Sequence, residues 1–146
     1  HWERQSKINM TLAKENVIVV IEDTDEDFET IEFLLGKTGY EFKLKRFAYA
    51  DDAIEYLSEN PPPVFVLLDL NLNGTGGHDT LKTIKNDPNW CMIPVIILTT
   101  SIDPKDIEFC YRNGASGYFH KPVNFEKFGR SLQVMMDYWL EAVILR

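Results

Sequence analysis

The chain has 146 residues, of which 45% are hydrophobic and 12% aromatic, and this composition suits one folded domain and excludes a disordered chain. Its formal net charge of −8 argues against a nucleic-acid-binding surface, which needs clustered Lys and Arg. No apolar run approaches the roughly 18 residues that a membrane span requires.

Residues 1–15 form a predicted N-terminal extension, and we place the domain at 16–146. The segment from His1 to Met10 contains no long apolar run, so we do not expect a signal peptide. Met10 is a candidate start, which makes 1–9 an upstream extension or a remnant of expression.

Five strand-length apolar runs then alternate with five segments of helical period. The predicted strands cover 17–21, 42–46, 64–68, 95–98 and 117–120. Each predicted helix has an apolar face, and the first residues of these faces are Phe28, Ala53, Leu81, Ile107 and Phe125. Asp103 and Asn124 are predicted N-caps, and Gly114 is a predicted helix stop. This alternation predicts an α/β fold, a three-layer sandwich in which helices cover both faces of a five-stranded parallel sheet.

Polar residues follow four of the predicted strands. Glu22 and Asp23 come after the first strand, Asp69 after the third, Thr99 after the fourth and Lys121 after the fifth. Since ligands of such sheets bind outside the carboxyl ends of the strands, we expect these side chains to converge. Clustered carboxylates repel one another, and oxygen ligands without His or Cys suit Mg²⁺. The sequence therefore predicts a Mg²⁺ site beside a carboxylate nucleophile, with an ammonium and a hydroxyl that bind phosphoryl oxygens.

Other interpretations of the acidic residues fit less well. The run Asp23-x-Asp25-x-Asp27 lacks the Gly and Glu that an EF-hand loop needs at its sixth and twelfth positions. Asn71 stands where phosphatases with an aspartyl nucleophile have a second Asp, so we do not expect turnover of a separate phosphate ester. We interpret Asp25 and Asp27 as acidic residues of a first helical turn and leave them outside the site.

Four short segments carry a family resemblance: Ile21-Glu22-Asp23, Leu67-Leu68-Asp69-Leu70-Asn71, Ile97-Leu98-Thr99-Thr100-Ser101 and Gly117-Tyr118-Phe119-His120-Lys121-Pro122. In order and spacing they resemble the receiver domains of two-component response regulators, over about residues 16–138. The resemblance implies the flavodoxin-like receiver fold with strand order 2-1-3-4-5, a known order for this class of sheet.

The resemblance also implies roles for individual residues. Asp69 is the phosphoacceptor for a sensor histidine kinase, with Mg²⁺ as cofactor. The implied metal ligands are the side chains of Asp23 and Asp69, the main-chain carbonyl of Asn71, and Glu22 through water. Thr99 and Lys121 bind the phosphoryl group, and Tyr118 is the switch aromatic. Such a protein is not an ordinary enzyme, because it catalyses only its own phosphorylation and dephosphorylation.

The loop after Asp69 departs from the family pattern. The family often has Pro four residues after the phosphoacceptor, where this chain has Asn73, and Gly at the eighth position, which Gly77 keeps. The additional glycines predict a more mobile loop. His78 has no partner in the sequence that indicates metal or base duty, so we expect a surface or packing role. The resemblance also implies a cis bond before Pro122.

A closer likeness lies near the C-terminus. Segments 98–101 and 138–143 look like those of the cyanobacterial phytochrome response regulators, which implies a phytochrome-type kinase. A continuous helix over 124–145 would be about 33 Å long and would overrun the sheet. Its last turns expose apolar residues that predict a homodimer interface, namely Trp139, Leu140 and Val143. The alternative is that the tail folds back onto its own domain.

These features predict a single-domain response regulator that signals by altered protein contacts, since no residues remain for an effector domain after the fifth helix. Two alternatives share the fold: a scaffold that binds partners without phosphorylation, and a phosphorelay intermediate that passes the phosphoryl group onward. Cys91 and Cys110 form no CxxC and have no nearby histidine pair, so we expect neither disulfides nor zinc, and a reducing cytoplasm.

Overall fold

A computed structural model describes residues 16–74, 76–121 and 124–142 of the chain. The strands are β1 (Val17–Ile21), β2 (Lys43–Phe47), β3 (Phe65–Leu68), β4 (Val95–Thr99) and β5 (Gly117–His120). The helices are α1 (Asp25–Gly36), α2 (Ala50–Glu59), α3 (Gly77–Asn86), α4 (Pro104–Arg112) and α5 (Phe125–Asp137). The predicted alternation is confirmed, with strand ends shifted by single residues. The N-terminal extension and the predicted cis bond before Pro122 lie outside the described residues.

The five strands form one parallel sheet in the order β2-β1-β3-β4-β5, which confirms the predicted topology. Ile21, at the end of β1, pairs with Phe47 of β2 and with Leu68 of β3. Thr99, at the end of β4, pairs with His120 of β5. All carboxyl ends therefore lie along one edge of the sheet, and the residue that follows each strand enters the same region.

The core divides into two layers because successive side chains of a strand point to opposite faces. In β1, Ile18 and Val20 pack in the layer formed with α1 and α5, whereas Val19 and Ile21 pack in the layer formed with α2, α3 and α4. β3 and β4 are buried along their whole length, as strands covered on both faces must be. None of the described helices is long and apolar enough to cross a membrane.

Local signals fix the helix ends where the sequence placed them. The Asp103 side chain accepts a hydrogen bond from the Lys105 N–H at 2.9 Å and caps α4. The Asn124 side chain accepts one from the Lys127 N–H at 2.8 Å and caps α5. Gly114 follows α4 with φ +89°, a backbone conformation that glycine adopts without strain.

The end of α5 corrects one prediction. Instead of a continuous α-helix over 124–145, α5 gives way to a π-helical turn at Tyr138–Ala142, and residues 143–146 lie outside the described residues. Trp139 and Leu140 are half-buried against the core layer under α1 and α5. The Tyr40 hydroxyl holds this end by donating to the carboxylates of Asp137 at 2.7 Å and Glu141 at 3.0 Å.

Candidate metal and phosphoacceptor site

Three carboxylates meet at the carboxyl edge of the sheet, as the strand ends predicted. Glu22 and Asp23 follow β1, and Asp69 follows the adjacent strand β3. One carboxylate oxygen from each of the three residues lies within 4.8 Å of the other two. Glu22 is 1% exposed and Asp69 7% exposed, whereas Asp23 is partly exposed. Because like charges in a buried place repel strongly, this cluster requires a positive charge beside it.

Lys121 supplies that charge. Its ammonium donates hydrogen bonds to Glu22, to Asp69 Oδ2 at 2.9 Å and to Asp27 Oδ2 at 3.0 Å. The Lys121 side chain is only 10% exposed, so these contacts replace most of its hydration. The ammonium therefore lies among three carboxylates that come from β1, α1 and β3.

Burial sets the protonation of this cluster. It raises the pKa of Glu22 to about 7, because the hydrogen bond and charge of Lys121 offset only part of the cost of burying a carboxylate. Burial by itself lowers the pKa of Lys121, but hydrogen bonds to Glu22 and Asp69 outweigh it and raise that pKa above its ordinary value. Lys121 is therefore charged at neutral pH, and a further cation beside Glu22 would favour the ionised form of that carboxylate.

The donor set fits a hard divalent cation. Asp23 Oδ2 accepts the Asn73 N–H at 3.0 Å, and Asp69 Oδ1 accepts the Asn71 N–H at 3.0 Å. These bonds fix both carboxylates and leave lone pairs for a metal ion. Oxygen donors without His or Cys are the ligands that Mg²⁺ and Mn²⁺ share. The main-chain carbonyl of Asn71 remains a predicted ligand.

Thr99 joins the site through Asn71. The Thr99 side chain is fully buried at 0% exposure, and its Oγ1 accepts the Asn71 Nδ2–H at 3.4 Å and the Ser101 N–H at 3.3 Å. The backbone N–H of Lys121 donates to the Thr99 carbonyl at 2.7 Å and extends the ladder between β4 and β5. The sheet thus brings all five predicted side chains to one edge.

Tyr118, the predicted switch aromatic, lies on β5 with its ring half-buried. Its hydroxyl donates to the main-chain carbonyl of Ser101 at 2.8 Å, and burial raises its pKa. The loop between β4 and α4 therefore connects Tyr118 with Thr99.

Arg46, near the end of β2, supports the loop that carries the acidic pair. Its Nε donates to the Glu22 carbonyl at 3.0 Å, and its Nη1 contacts Asp25 Oδ1 at 2.7 Å. The guanidinium carbon lies 5.0 Å from the centre of the Phe28 ring. Asp25, which the sequence assigned only to the first turn of a helix, thus pairs with an arginine outside the carboxylate cluster.

Gly77 places the start of α3 against the backbone of Asp69. A Cβ at Gly77 would lie 2.3 Å from the Asp69 carbonyl oxygen and 2.5 Å from the Leu70 Cα. The Gly77 N–H donates to the Leu70 carbonyl at 3.2 Å. Only glycine permits this approach, which explains why the loop keeps glycine at this position.

Sequence reasoning missed two features of the site. Asp27 contacts Lys121 and is not only a first-turn residue. His78 is more than a packing residue, because its Nε2 lies 2.8 Å from Asp106 Oδ1. No sequence signal indicates that His78 and Asp106, which lie on different helices, are in contact.

The sequence of the chain matches a known protein family. A model of the response regulator receiver domain matches residues 18–133, and the chain belongs to this family. The response regulator Rcp1 from Synechocystis is 30% identical over 136 residues, covering 88% of this chain and 92% of Rcp1. The probable methanogenesis regulatory protein FilR2 from Methanothrix harundinacea is 30% identical over 129 residues, covering 85% of this chain and 83% of FilR2.

Two solved structures have the same fold. The Mn²⁺-bound form of Rcp1 has a TM-score of 0.82 at 29% identity and covers 90% of this chain and 99% of its own. The phosphorylated cyanobacterial phytochrome response regulator RcpA has a TM-score of 0.83 at 28% identity, with the same coverage. The predicted likeness to phytochrome response regulators is therefore confirmed in sequence and in structure.

Proposed function

We propose that Asp69 accepts a phosphoryl group from the phosphohistidine of a sensor histidine kinase. A carboxylate oxygen of Asp69 attacks phosphorus, a P–O bond forms, and the bond between phosphorus and the imidazole nitrogen of the kinase breaks. Water later cleaves the acyl phosphate and releases inorganic phosphate. The observation that carries this proposal is the buried Asp69 carboxylate, held 2.9 Å from the Lys121 ammonium and beside two further carboxylates.

Mg²⁺ is the proposed cofactor. The side chains of Asp23 and Asp69, the main-chain carbonyl of Asn71 and Glu22 through water would hold it, and the exposed side of Asp23 leaves an entry from solvent. When bound, the cation screens the repulsion between the carboxylates and the incoming phosphoryl group. Rcp1, whose solved form contains Mn²⁺, supports a divalent ion in a fold of this kind.

Lys121 and Thr99 are the proposed partners of the phosphoryl group. Lys121 already donates to Asp69, so it needs only to redirect that bond to a phosphoryl oxygen. The Thr99 hydroxyl supplies a second donor from the next strand. Because Ser101 bonds to both Thr99 and Tyr118, a shift of Thr99 reaches Tyr118 and changes the surface that binds partners. In this proposal, the protein catalyses only its own phosphorylation and dephosphorylation.

Incubation with acetyl phosphate and Mg²⁺, followed by intact-mass measurement, tests the phosphoacceptor. The wild type should gain one phosphoryl group that is lost in acid or hydroxylamine, and Asp69→Asn should gain none. The matched control is Asp52→Asn, an exposed first-turn carboxylate of α2, which should be modified like the wild type. Modification of Asp69→Asn would refute the assignment, and an unmodified wild type would favour the phosphorylation-independent scaffold.

We further propose that the kinase is of the phytochrome type and that the exchange takes place in the cytoplasm, where the two free cysteines remain reduced. The likeness to Rcp1 and to the phytochrome regulator RcpA supports this pathway. Phosphotransfer from an autophosphorylated phytochrome kinase should be much faster than from a histidine kinase of another sensor class. Equal rates from both donors would refute the pathway and leave Asp69 as phosphoacceptor. Onward transfer to a second histidine protein would identify a phosphorelay intermediate.

A homodimer through the C-terminal segment is the last part of the proposal. Val134 and Tyr138 are 62% and 51% exposed on α5 and the turn after it, and the apolar predicted contact Val143 lies just outside the described residues. Covering such side chains with a second copy is worth roughly 1.5–3 kcal/mol each. Trp139 and Leu140 are partly buried against the core of their own domain, so only their exposed atoms can contribute to a dimer interface.

Sedimentation of the unphosphorylated protein tests the dimer. Val134→Glu keeps Trp139 on its own core and should shift the wild-type dimer to monomer. A Trp139→Glu, Val143→Glu double variant should do the same. Tyr111→Glu, which changes an exposed aromatic residue of α4, is the control and should remain dimeric. A wild type that is monomeric at high micromolar concentration would contradict the proposal.

A further inference from the structure

A chain of three polar side chains connects α3 with the loop between β4 and α4. His78, the second residue of α3, has its Nε2 2.8 Å from Asp106 Oδ1 in the first turn of α4. The other oxygen, Asp106 Oδ2, accepts the Ser101 hydroxyl at 2.6 Å. The His78 ring also meets the Phe109 ring edge-on, with centroids 5.0 Å apart. Both carboxylate oxygens of Asp106 therefore accept a hydrogen bond, one from α3 and one from the loop between β4 and α4.

Ser101 is the centre of this arrangement. Its N–H donates to Thr99 Oγ1 at 3.3 Å, and its carbonyl accepts the Tyr118 hydroxyl at 2.8 Å. Its own hydroxyl donates to Asp106 and accepts the Asp103 N–H at 3.3 Å. Ser101 thus joins Thr99 to Tyr118, and Asp106 holds Ser101.

The order of the three groups excludes a nucleophilic triad. In such a triad the imidazole lies between hydroxyl and carboxylate, so that it takes the proton of the hydroxyl. Here the carboxylate lies between Ser101 and His78. The bonds from Ser101 and from His78 lower the pKa of Asp106, so it is an ionised acceptor and Nε2 of His78 is the donor. The arrangement suits positioning, because hydrogen bonds to a charged acceptor are short and directional.

His78, at the other end of this series of three side chains, lies next to a residue that packs on Asp69. His78 follows Gly77, whose backbone packs directly on the Asp69 carbonyl. The Asp106 carboxylate therefore connects the backbone next to Asp69 with the loop that carries Ser101.

We propose that His78 and Asp106 are positioning residues that hold Ser101, and through it Thr99 and Tyr118, in one arrangement before any phosphoryl group arrives. The effect on phosphorylation rests on the proposed function of Asp69. A donor that is already in place does not have to be ordered during the reaction, so the rate is higher than in a chain with a free loop. The proposed metal ligands follow β1 and β3, so we expect Mg²⁺ affinity to be independent of this connection.

Three variants and a control test the inference. His78→Phe keeps a ring against Phe109 without the hydrogen bond, His78→Gln restores an N–H donor, and Asp106→Ala removes both bonds from a partly exposed position. The control is Glu108→Gln, which removes the negative charge from the 2.8 Å pair with Arg112 on the outside of the same helix. Each protein is examined without phosphoryl donor by amide exchange at Ser101, and then for Mg²⁺ affinity and phosphorylation rate with acetyl phosphate.

In His78→Phe the Ser101 amide should exchange about tenfold faster, the fold-change expected for one lost charge-assisted hydrogen bond. In Asp106→Ala, which loses two such bonds, the acceleration should be at least as large. Phosphorylation of both variants should slow by about three- to tenfold while Mg²⁺ affinity stays within about twofold of wild type. His78→Gln and Glu108→Gln should resemble the wild type in all three measurements. Unchanged Ser101 exchange in His78→Phe and in Asp106→Ala would overturn the inference. Because that measurement needs no phosphoryl group, it decides the question even if Asp69 proves not to be the phosphoacceptor.

Discussion

Lys121 Nζ lies 2.9 Å from Asp69 Oδ2, although the two residues follow β5 and β3, which are separated in the sheet by β4. The same ammonium reaches Glu22 and Asp27. One lysine thus offsets part of the negative charge of a pocket that the proposed function fills with a metal ion and a phosphoryl group. Its charge and that of the proposed metal ion would act on the same carboxylates.

Lys121→Ala should destabilise the metal-free protein by about 3–5 kcal/mol, because it leaves buried carboxylates without their partner. Mg²⁺ should restore much of this loss, so that it stabilises the variant more than the wild type. Denaturant unfolding with and without Mg²⁺ measures both effects. Lys82→Ala, at an exposed position of α3, is the control and should change neither. An equal gain from Mg²⁺ in wild type and Lys121→Ala would show that the two charges do not substitute for one another.

Glu22→Gln should change the pH dependence of stability in the metal-free protein. Because the folded-state pKa of Glu22 is raised from 4.5 to about 7, the folded chain binds more protons than the unfolded chain between these values. The stability from this group is fully present below the lower value and is lost as the pH rises through about 7. Melting temperatures of the variant relative to wild type should therefore rise from about pH 5 to about pH 8.

The exposed Glu29 provides the control for that experiment, since Glu29→Gln removes a carboxylate of α1 outside the cluster. Its difference from wild type should stay constant with pH. A constant difference for Glu22→Gln as well would mean that burial does not control the protonation of Glu22.

Gly77→Ala should destabilise the protein and slow phosphorylation, because the added Cβ would lie 2.3 Å from the Asp69 carbonyl oxygen. The start of α3 must then move away from the backbone of Asp69. Gly76→Ala is a neighbouring control, since nothing lies within 4 Å of a Cβ there and its φ of −72° suits any residue. Thermal unfolding and the acetyl phosphate reaction measure the difference, and equal behaviour of the two variants would contradict this close packing.

Asp23→Asn should weaken Mg²⁺ binding by about tenfold or more, which corresponds to about 1.4 kcal/mol or more for a lost charged ligand. The amide keeps an oxygen that accepts the Asn73 N–H, so the loop is preserved. Asp25→Asn, whose carboxylate contacts Arg46 outside the cluster, should bind Mg²⁺ like the wild type. Titration calorimetry gives the affinities. Unchanged affinity in Asp23→Asn would remove Asp23 from the ligands.

Local and periodic features were readable from the sequence. The alternation of apolar runs predicts five strands and five helices because strand and helix bury side chains with different periods. Asp103 and Asn124 predict helix starts because their side chains bond to nearby backbone N–H groups, and those bonds are present. The five residues at the strand ends were predicted to meet because parallel strands share one carboxyl edge.

Contacts between distant segments were decided by the tertiary structure. Asp27 contacts Lys121 because the start of α1 lies beside the segment that follows β5, and His78 contacts Asp106 because α3 and α4 are neighbours in the fold. The end of α5 is a further example. The spacing of apolar residues predicts a helix there, but it does not predict that Trp139 packs on the core or that Tyr40 bonds to Asp137 and Glu141. Residue types and the spacing of the apolar residues were enough to predict that the polar side chains gather at the carboxyl edge of the sheet. The folded structure decides which donors bind the carboxylates and how strongly burial raises the pKa of Glu22. Both depend on distances and on the exclusion of solvent, which exist only once the chain is folded.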